Sequence, residues 1–175
     1  MTQEEITVRS MYLFLACSQA IEQFAARLAA TIPAPDPSLK PALDRSLKRE
    51  LGLLFRYWVS QQIWERLDAS EADAKNLNLA LLRLFTEAFK LPRDGSGLRY
   101  AALSSMREEI QELSRRITDA LGTADKALVM ELEGAILPWR DAITKYTSDA
   151  LETPLEPLSA SVKALVERRI ESTET

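Results

Sequence analysis

Acidic side chains cluster in two stretches of the chain that could bind a divalent cation. Glu108, Glu109 and Glu112 fall on one predicted helix, and Glu131 and Glu133 follow on the next. Carboxylate oxygens are the protein ligands that Mg²⁺ prefers, so these residues could hold a metal ion for hydrolysis. Carboxylates at this spacing also commonly solvate an exposed helix face, which is the alternative interpretation.

The pair Glu109 and Glu112 has the spacing E-x-x-E. In this pair the chain resembles the all-α NTP pyrophosphatases of the MazG type, and the resemblance implies that two acidic helices hold magnesium. It covers two predicted helices. The E-x-x-D half that these enzymes carry on the following helix is missing, because Glu131-Leu-Glu-Gly134 does not supply it. A Mg-dependent nucleotide hydrolase of the all-α type is therefore the second alternative for the function.

Polar residues interrupt the apolar stripe of the predicted second helix. Gln62 and Glu65 fall on the same face as Trp58, where helical periodicity calls for apolar side chains, and Arg66 is close by. Buried polar groups need partners, so this end of the helix either reaches the surface or lines a cavity. The candidate ligand pocket comprises Trp58, Gln62, Trp64, Glu65 and Arg66, and we expect it to suit a small apolar or amphipathic molecule.

Basic residues follow one side of the same helix around Gly52. A glycine there would let a phosphate or another helix approach closely. The alternative is a solvated flank whose cations pair with acidic neighbours. The candidate anion-binding stripe consists of Arg45, Lys48, Arg49 and Arg56.

Composition excludes several classes of function. The 175 residues include 22 Lys and Arg against 26 Asp and Glu, and a net charge of −4 predicts neither nucleic-acid nor membrane-surface binding. Histidine is absent, and the single Cys17 cannot form an intramolecular disulfide. No phosphate-binding loop or Cys/His metal spacing is present. We therefore assign no catalytic, cofactor-binding or metal-ligating residue, and we expect a cytoplasmic location with no membrane span.

The elements that must position these residues are helices. Apolar residues recur at helical spacing over residues 3–32, 38–67, 98–121 and 123–148. A third helix follows Ser70, a candidate N-cap, and a short last helix is expected after Ser159. Pro33–Pro37 and residues 91–97 are turns, Gly122 and Thr123 are candidate caps, and Pro138 should kink the fifth helix without ending it.

This pattern predicts an all-α antiparallel helical bundle of five long helices plus a short C-terminal helix. Residues 1–175 would form a single domain, in which 149–175 is a Pro-tethered C-terminal helix with a frayed tail. The very apolar residues 51–67 should be wrapped by the other helices.

The leading hypothesis for the function is a non-enzymatic helical binding or protein-interaction domain, which forms a homodimer or binds a partner protein. The first alternative is a sensory helical domain for a small apolar or amphipathic ligand.

Overall fold

The computed structural model describes residues 1–31, 38, 40–92, 99–121 and 126–174. These residues form six α-helices and no strand. The predicted all-α helical bundle is therefore confirmed. Gly122, Thr123 and most of the two predicted turns lie outside the described residues. The helices are α1 (Gln3–Thr31), α2 (Lys40–Arg66), α3 (Glu71–Phe89), α4 (Met106–Leu121), α5 (Lys126–Glu152) and α6 (Leu155–Glu174).

Helices α1 and α2 lie at the centre of the bundle. α1 packs against α2, α3, α5 and α6, while α2 packs against α1, α3, α4 and α5. The first half of the apolar stretch 51–67 is wrapped as predicted, since Leu51, Leu53, Leu54, Phe55 and Trp58 are buried. Burying each large side chain contributes about 1.5–3 kcal/mol. α2 therefore carries a large share of the stability.

The close approach of α2 and α3 depends on Gly52. A Cβ atom at this position would lie 3.2 Å from Cδ2 of Phe89 in α3. The glycine in the middle of the predicted anion-binding stripe thus makes room for another helix. Ser70 precedes α3 as predicted, but its hydroxyl donates to Asp73 Oδ2 at 2.9 Å and makes no capping hydrogen bond to the backbone.

The predicted start of the fourth helix is wrong. Instead of a helix from residue 98, the chain forms a short 3-10 helix at Tyr100–Ala102, and α4 begins at Met106. Tyr100 is fully buried. Ser105 then caps α4, because its Oγ accepts a hydrogen bond from the Glu108 N–H at 3.3 Å. Burial of the Tyr100 ring and the serine cap outweigh the helical periodicity here.

Helices α5 and α6 are both longer than predicted. Pro138 lies inside α5 without ending it, as expected, and α5 continues to Glu152. α6 begins at Leu155 rather than near 159, because a proline at its third position costs no helical hydrogen bond. It continues to Glu174, through residues that the sequence pattern assigned to a frayed tail.

The C-terminal helix docks on the body of its own chain. α6 packs against α1, and Arg9 of α1 holds the corner that leads into it. Nη1 of Arg9 donates to the carbonyl oxygens of Ala150 at 2.6 Å and Thr153 at 3.0 Å. α6 is thus tied down within the chain.

Candidate functional site

The structure brings four of the five predicted pocket residues together in one concavity between α2 and α5. Trp58, Gln62, Glu65 and Arg66 line it, and its volume is about 240 Å³. We call this concavity the Trp58 pocket. Three residues that were not predicted complete the lining: Gln61, Arg140 and Thr144. The lining is mostly polar, which differs from the apolar pocket with few polar groups that the sequence suggested.

Trp58 forms the buried floor of the Trp58 pocket. Its side chain is 1% exposed, and its indole Nε1–H donates to Oε2 of Glu109 at 2.9 Å. The Arg140 guanidinium lies over the indole ring, 5.6 Å from the ring centroid, and 3.9 Å from the same Glu109 oxygen. A buried carboxylate from α4 and a cation from α5 therefore both stabilise the position of the tryptophan.

Gln62 presents an unused acceptor to the Trp58 pocket. Its Nε2 donates to Thr144 Oγ1 at 2.9 Å, and the Thr144 hydroxyl donates in turn to the Arg140 carbonyl at 3.0 Å. A hydroxyl has one proton, so Thr144 can only accept from Gln62, and this sets the orientation of the amide. Gln62 Oε1 is left buried without a donor among the described residues.

The outer wall of the Trp58 pocket consists of two charged side chains. Arg66 donates to Ser148 Oγ and lies 3.6 Å from Oε1 of Glu152. Glu65 is exposed and forms no ion pair with any other described residue. The second half of the stretch 51–67 thus becomes polar where α2 reaches the surface.

Trp64 lies apart from the other predicted pocket residues. It is 42% exposed and borders a groove of about 170 Å³ between α2 and α3, which we call the α2–α3 groove. Leu79 and Leu82 of α3 are exposed on the same groove. Six positions separate Trp64 from Trp58, so helical geometry places the two side chains about 120° apart around α2.

The four residues of the predicted anion-binding stripe have different environments. Arg45 and Arg49 are exposed, and Lys48 pairs with Asp44 one turn away at 2.9 Å. Arg56 instead lines the α2–α3 groove, where burial lowers the pKa of its guanidinium. Arg56 is therefore the member of the stripe with an unusual environment.

The acidic cluster on α4 is engaged by donors and cations. Glu108 accepts hydrogen bonds from the Ser104 N–H and hydroxyl, which lower the pKa of its carboxyl group. Glu109 accepts the hydrogen bond from the Trp58 indole. Among the described residues, no three His, Cys, Asp or Glu side chains are placed to hold one metal ion. Glu112 lies within 4 Å of three guanidinium groups, those of Arg99, Arg115 and Arg116.

Sequence reasoning missed the α5 half of the Trp58 pocket. Arg140 and Thr144 are four residues apart and so share one face of a helix, which was the available signal. Nothing in the pattern says that this face meets α2, because Gln62 and Thr144 are separated by 82 positions.

Comparison of the chain with protein-family models, curated proteins and solved structures gives no significant match. Within the described part of the chain, no helix has the length and apolar character needed to cross a bilayer.

Proposed function

We propose that this chain is a non-enzymatic protein-interaction domain that self-associates through the α2–α3 groove. The observation that carries the proposal is the exposure of Trp64, Leu79 and Leu82 around this groove, at 42%, 45% and 37%. Large apolar side chains grouped on one face commonly mark interaction sites. Tryptophan is also among the residue types that most often dominate the energy of an interface.

Two buried donors in the groove support a partner with oxygen atoms. Arg56 Nε and Asn78 Nδ2 have no hydrogen-bond acceptor among the described residues. A buried donor left without an acceptor costs about 1–3 kcal/mol. A partner that brings carbonyl or carboxylate oxygens into the groove would remove this cost while it covers the apolar rim.

A second copy of the chain offers the complementary chemistry. In a twofold dimer the same surface must supply both halves of the interface. This face carries an apolar projection, Trp64, and two cations, Arg56 and Lys75. It also carries the exposed carboxylate of Glu71, one turn before Lys75 on α3. None of these three charged groups forms an ion pair with a described residue. Glu71 of one copy could therefore pair with Arg56 or Lys75 of the other.

Sedimentation equilibrium over a dilution series tests the proposal. We expect the wild-type chain at twice its mass of 19.7 kDa. Trp64→Ser removes the central apolar contact and should raise the dimer Kd by about 30-fold or more, since truncating an interface hot spot costs about 2 kcal/mol or more. Circular dichroism should show unchanged helicity, because Trp64 is largely outside the core.

Leu137→Ser is the matched control, because Leu137 is 51% exposed on α5, away from the groove. It should leave the dimer unchanged. A wild-type chain that sediments at 19.7 kDa at every concentration would overturn self-association. Equal weakening by Trp64→Ser and Leu137→Ser would overturn the assignment of the interface to the groove.

We infer further that the domain acts in the cytoplasm. The single cysteine, Cys17, is unpaired and buried, which is typical of a protein from a reducing compartment. Cell fractionation should recover the tagged chain with cytosolic markers. Recovery with secreted or membrane markers would contradict this location.

A further inference from the structure

We infer that the Trp58 pocket binds a small molecule that carries both an ammonium group and a carboxylate, as a free amino acid does. The inference does not depend on self-association, because this pocket lies between α2 and α5, whereas the proposed dimer interface lies between α2 and α3. It rests on two kinds of group in the lining of one pocket: the acceptors of Gln62 and Glu65, which have no donor among the described residues, and the guanidinium groups of Arg66 and Arg140.

The acceptors in the lining of the pocket belong to Gln62 and Glu65. Gln62 Oε1 is buried without a donor. The hydrogen bond from Nε2 of the same amide to Thr144 prevents the amide from flipping. Glu65 lines the same pocket three residues further along α2, so its carboxylate lies on a neighbouring position of the helix surface. An amide oxygen beside a free carboxylate favours a cationic N–H donor over a neutral one.

The donors in the lining belong to Arg66 from α2 and Arg140 from α5. The position of Arg140 is held by the Trp58 ring and by Glu109 at 3.9 Å. No described residue accepts a hydrogen bond from its guanidinium group. Each guanidinium has five N–H donors arranged to fit a carboxylate. The two arginines therefore retain enough donors to bind a ligand carboxylate.

The size of the pocket limits the ligand to a small one. Its volume of about 240 Å³ is below the range of about 300–1,000 Å³ that is usual for drug-sized ligands. The pocket has a polar lining above a buried indole, so a compact polar molecule fits it better than a fatty acid. This replaces the apolar or amphipathic ligand expected from the sequence.

Isothermal titration calorimetry with the common L-amino acids, one at a time, tests the inference. We expect at least one of them to bind the full-length protein with a Kd of about 1 mM or tighter. The matching 2-hydroxy acid lacks the ammonium group and the matching amino amide lacks the carboxylate. Each should bind at least about tenfold more weakly, because one leaves the acceptors unpaired and the other leaves the guanidinium groups unpaired.

Variants then locate the binding site. Gln62→Leu and Glu65→Gln should each weaken the binding of the amino acid by about tenfold or more. Glu87→Gln is the matched control, because Glu87 is an exposed glutamate of α3 outside the pocket, and it should leave the affinity unchanged. Trp64→Ser should also leave it unchanged, whatever the state of association.

Three results would overturn the inference. These are no binding by any amino acid, equal affinity for the amino acid and its 2-hydroxy acid, or full affinity in both Gln62→Leu and Glu65→Gln. Thermal unfolding of Gln62→Leu serves as the folding control, and Glu65→Gln keeps the test valid if Gln62→Leu is unstable, since Glu65 is exposed.

Discussion

Replacing both partners of the Trp58–Glu109 hydrogen bond, singly and together, tests whether this bond ties α2 to α4. Trp58 is 1% exposed and Glu109 is 5% exposed, and the Nε1 to Oε2 distance is 2.9 Å. Trp58→Phe leaves a buried carboxylate without its donor. Glu109→Leu leaves a buried indole N–H without its acceptor. The double variant leaves neither group unsatisfied.

The expected coupling energy follows from these orphaned groups. A hydrogen bond to a charged group contributes about 1.5–3 kcal/mol, and an unsatisfied buried group costs about 1–3 kcal/mol. Each single variant should therefore lose about 2–4 kcal/mol of stability. The double variant should lose about 1.5–3 kcal/mol less than the sum of the two. Arg140 adds little to this difference, because its side chain is 38% exposed and solvent screens its charge.

Urea unfolding, monitored by far-ultraviolet circular dichroism, measures the free energies of unfolding of the wild type, the two single variants and the double variant. Trp139→Phe combined with Glu109→Leu is the control cycle, since the Trp139 ring packs against Phe24 at 6.0 Å and makes no hydrogen bond with Glu109. The control cycle should be additive. Additivity within about 0.5 kcal/mol in the Trp58 cycle as well would show that the Trp58–Glu109 hydrogen bond does not tie α2 to α4.

Three further predictions follow from the packing of the bundle. Gly134→Ala should stabilise the fold by about 0.5–1 kcal/mol, since the added Cβ meets no atom within 4 Å. Gly52→Ala gains the same helix propensity but places its Cβ 3.2 Å from Phe89, and an equal melting temperature for the two variants would contradict the tight α2–α3 contact. Arg9→Met should cost about 2–3 kcal/mol in urea unfolding, because the carbonyls of Ala150, in the last turn of α5, and Thr153, just after it, lose their donor, and the stability of Arg9→Lys should lie between it and wild type. Burial raises the pKa of Cys17 from 9.0 to about 12. The unfolded chain then loses a proton that the folded chain keeps, so stability should fall between pH 9 and 12. The free energy of unfolding of Cys17→Ala should fall less steeply over this pH range. The same slope in Cys17→Ala and wild type would contradict this prediction.

Local patterns predicted the helices well where burial follows the period of a helix. The apolar face of α4 is an example, because Ile110, Leu113 and Ile117 recur at that period and are all buried. The pattern failed at Tyr100, where a buried aromatic ring and a serine cap moved the start of α4 to Met106. Burial of the Tyr100 ring and the serine cap are not part of a helical periodicity, so the pattern could not predict their effect.

The candidate site shows the same division. The sequence alone predicts that Trp58 and Gln62 share a face of α2, because helical geometry is a local property of the chain. Only the packing of the helices shows that Arg140 and Thr144 complete that face and that Trp64 is exposed on another. Contacts between helices depend on which faces pack together, and no local sequence pattern predicts a contact between residues 82 positions apart.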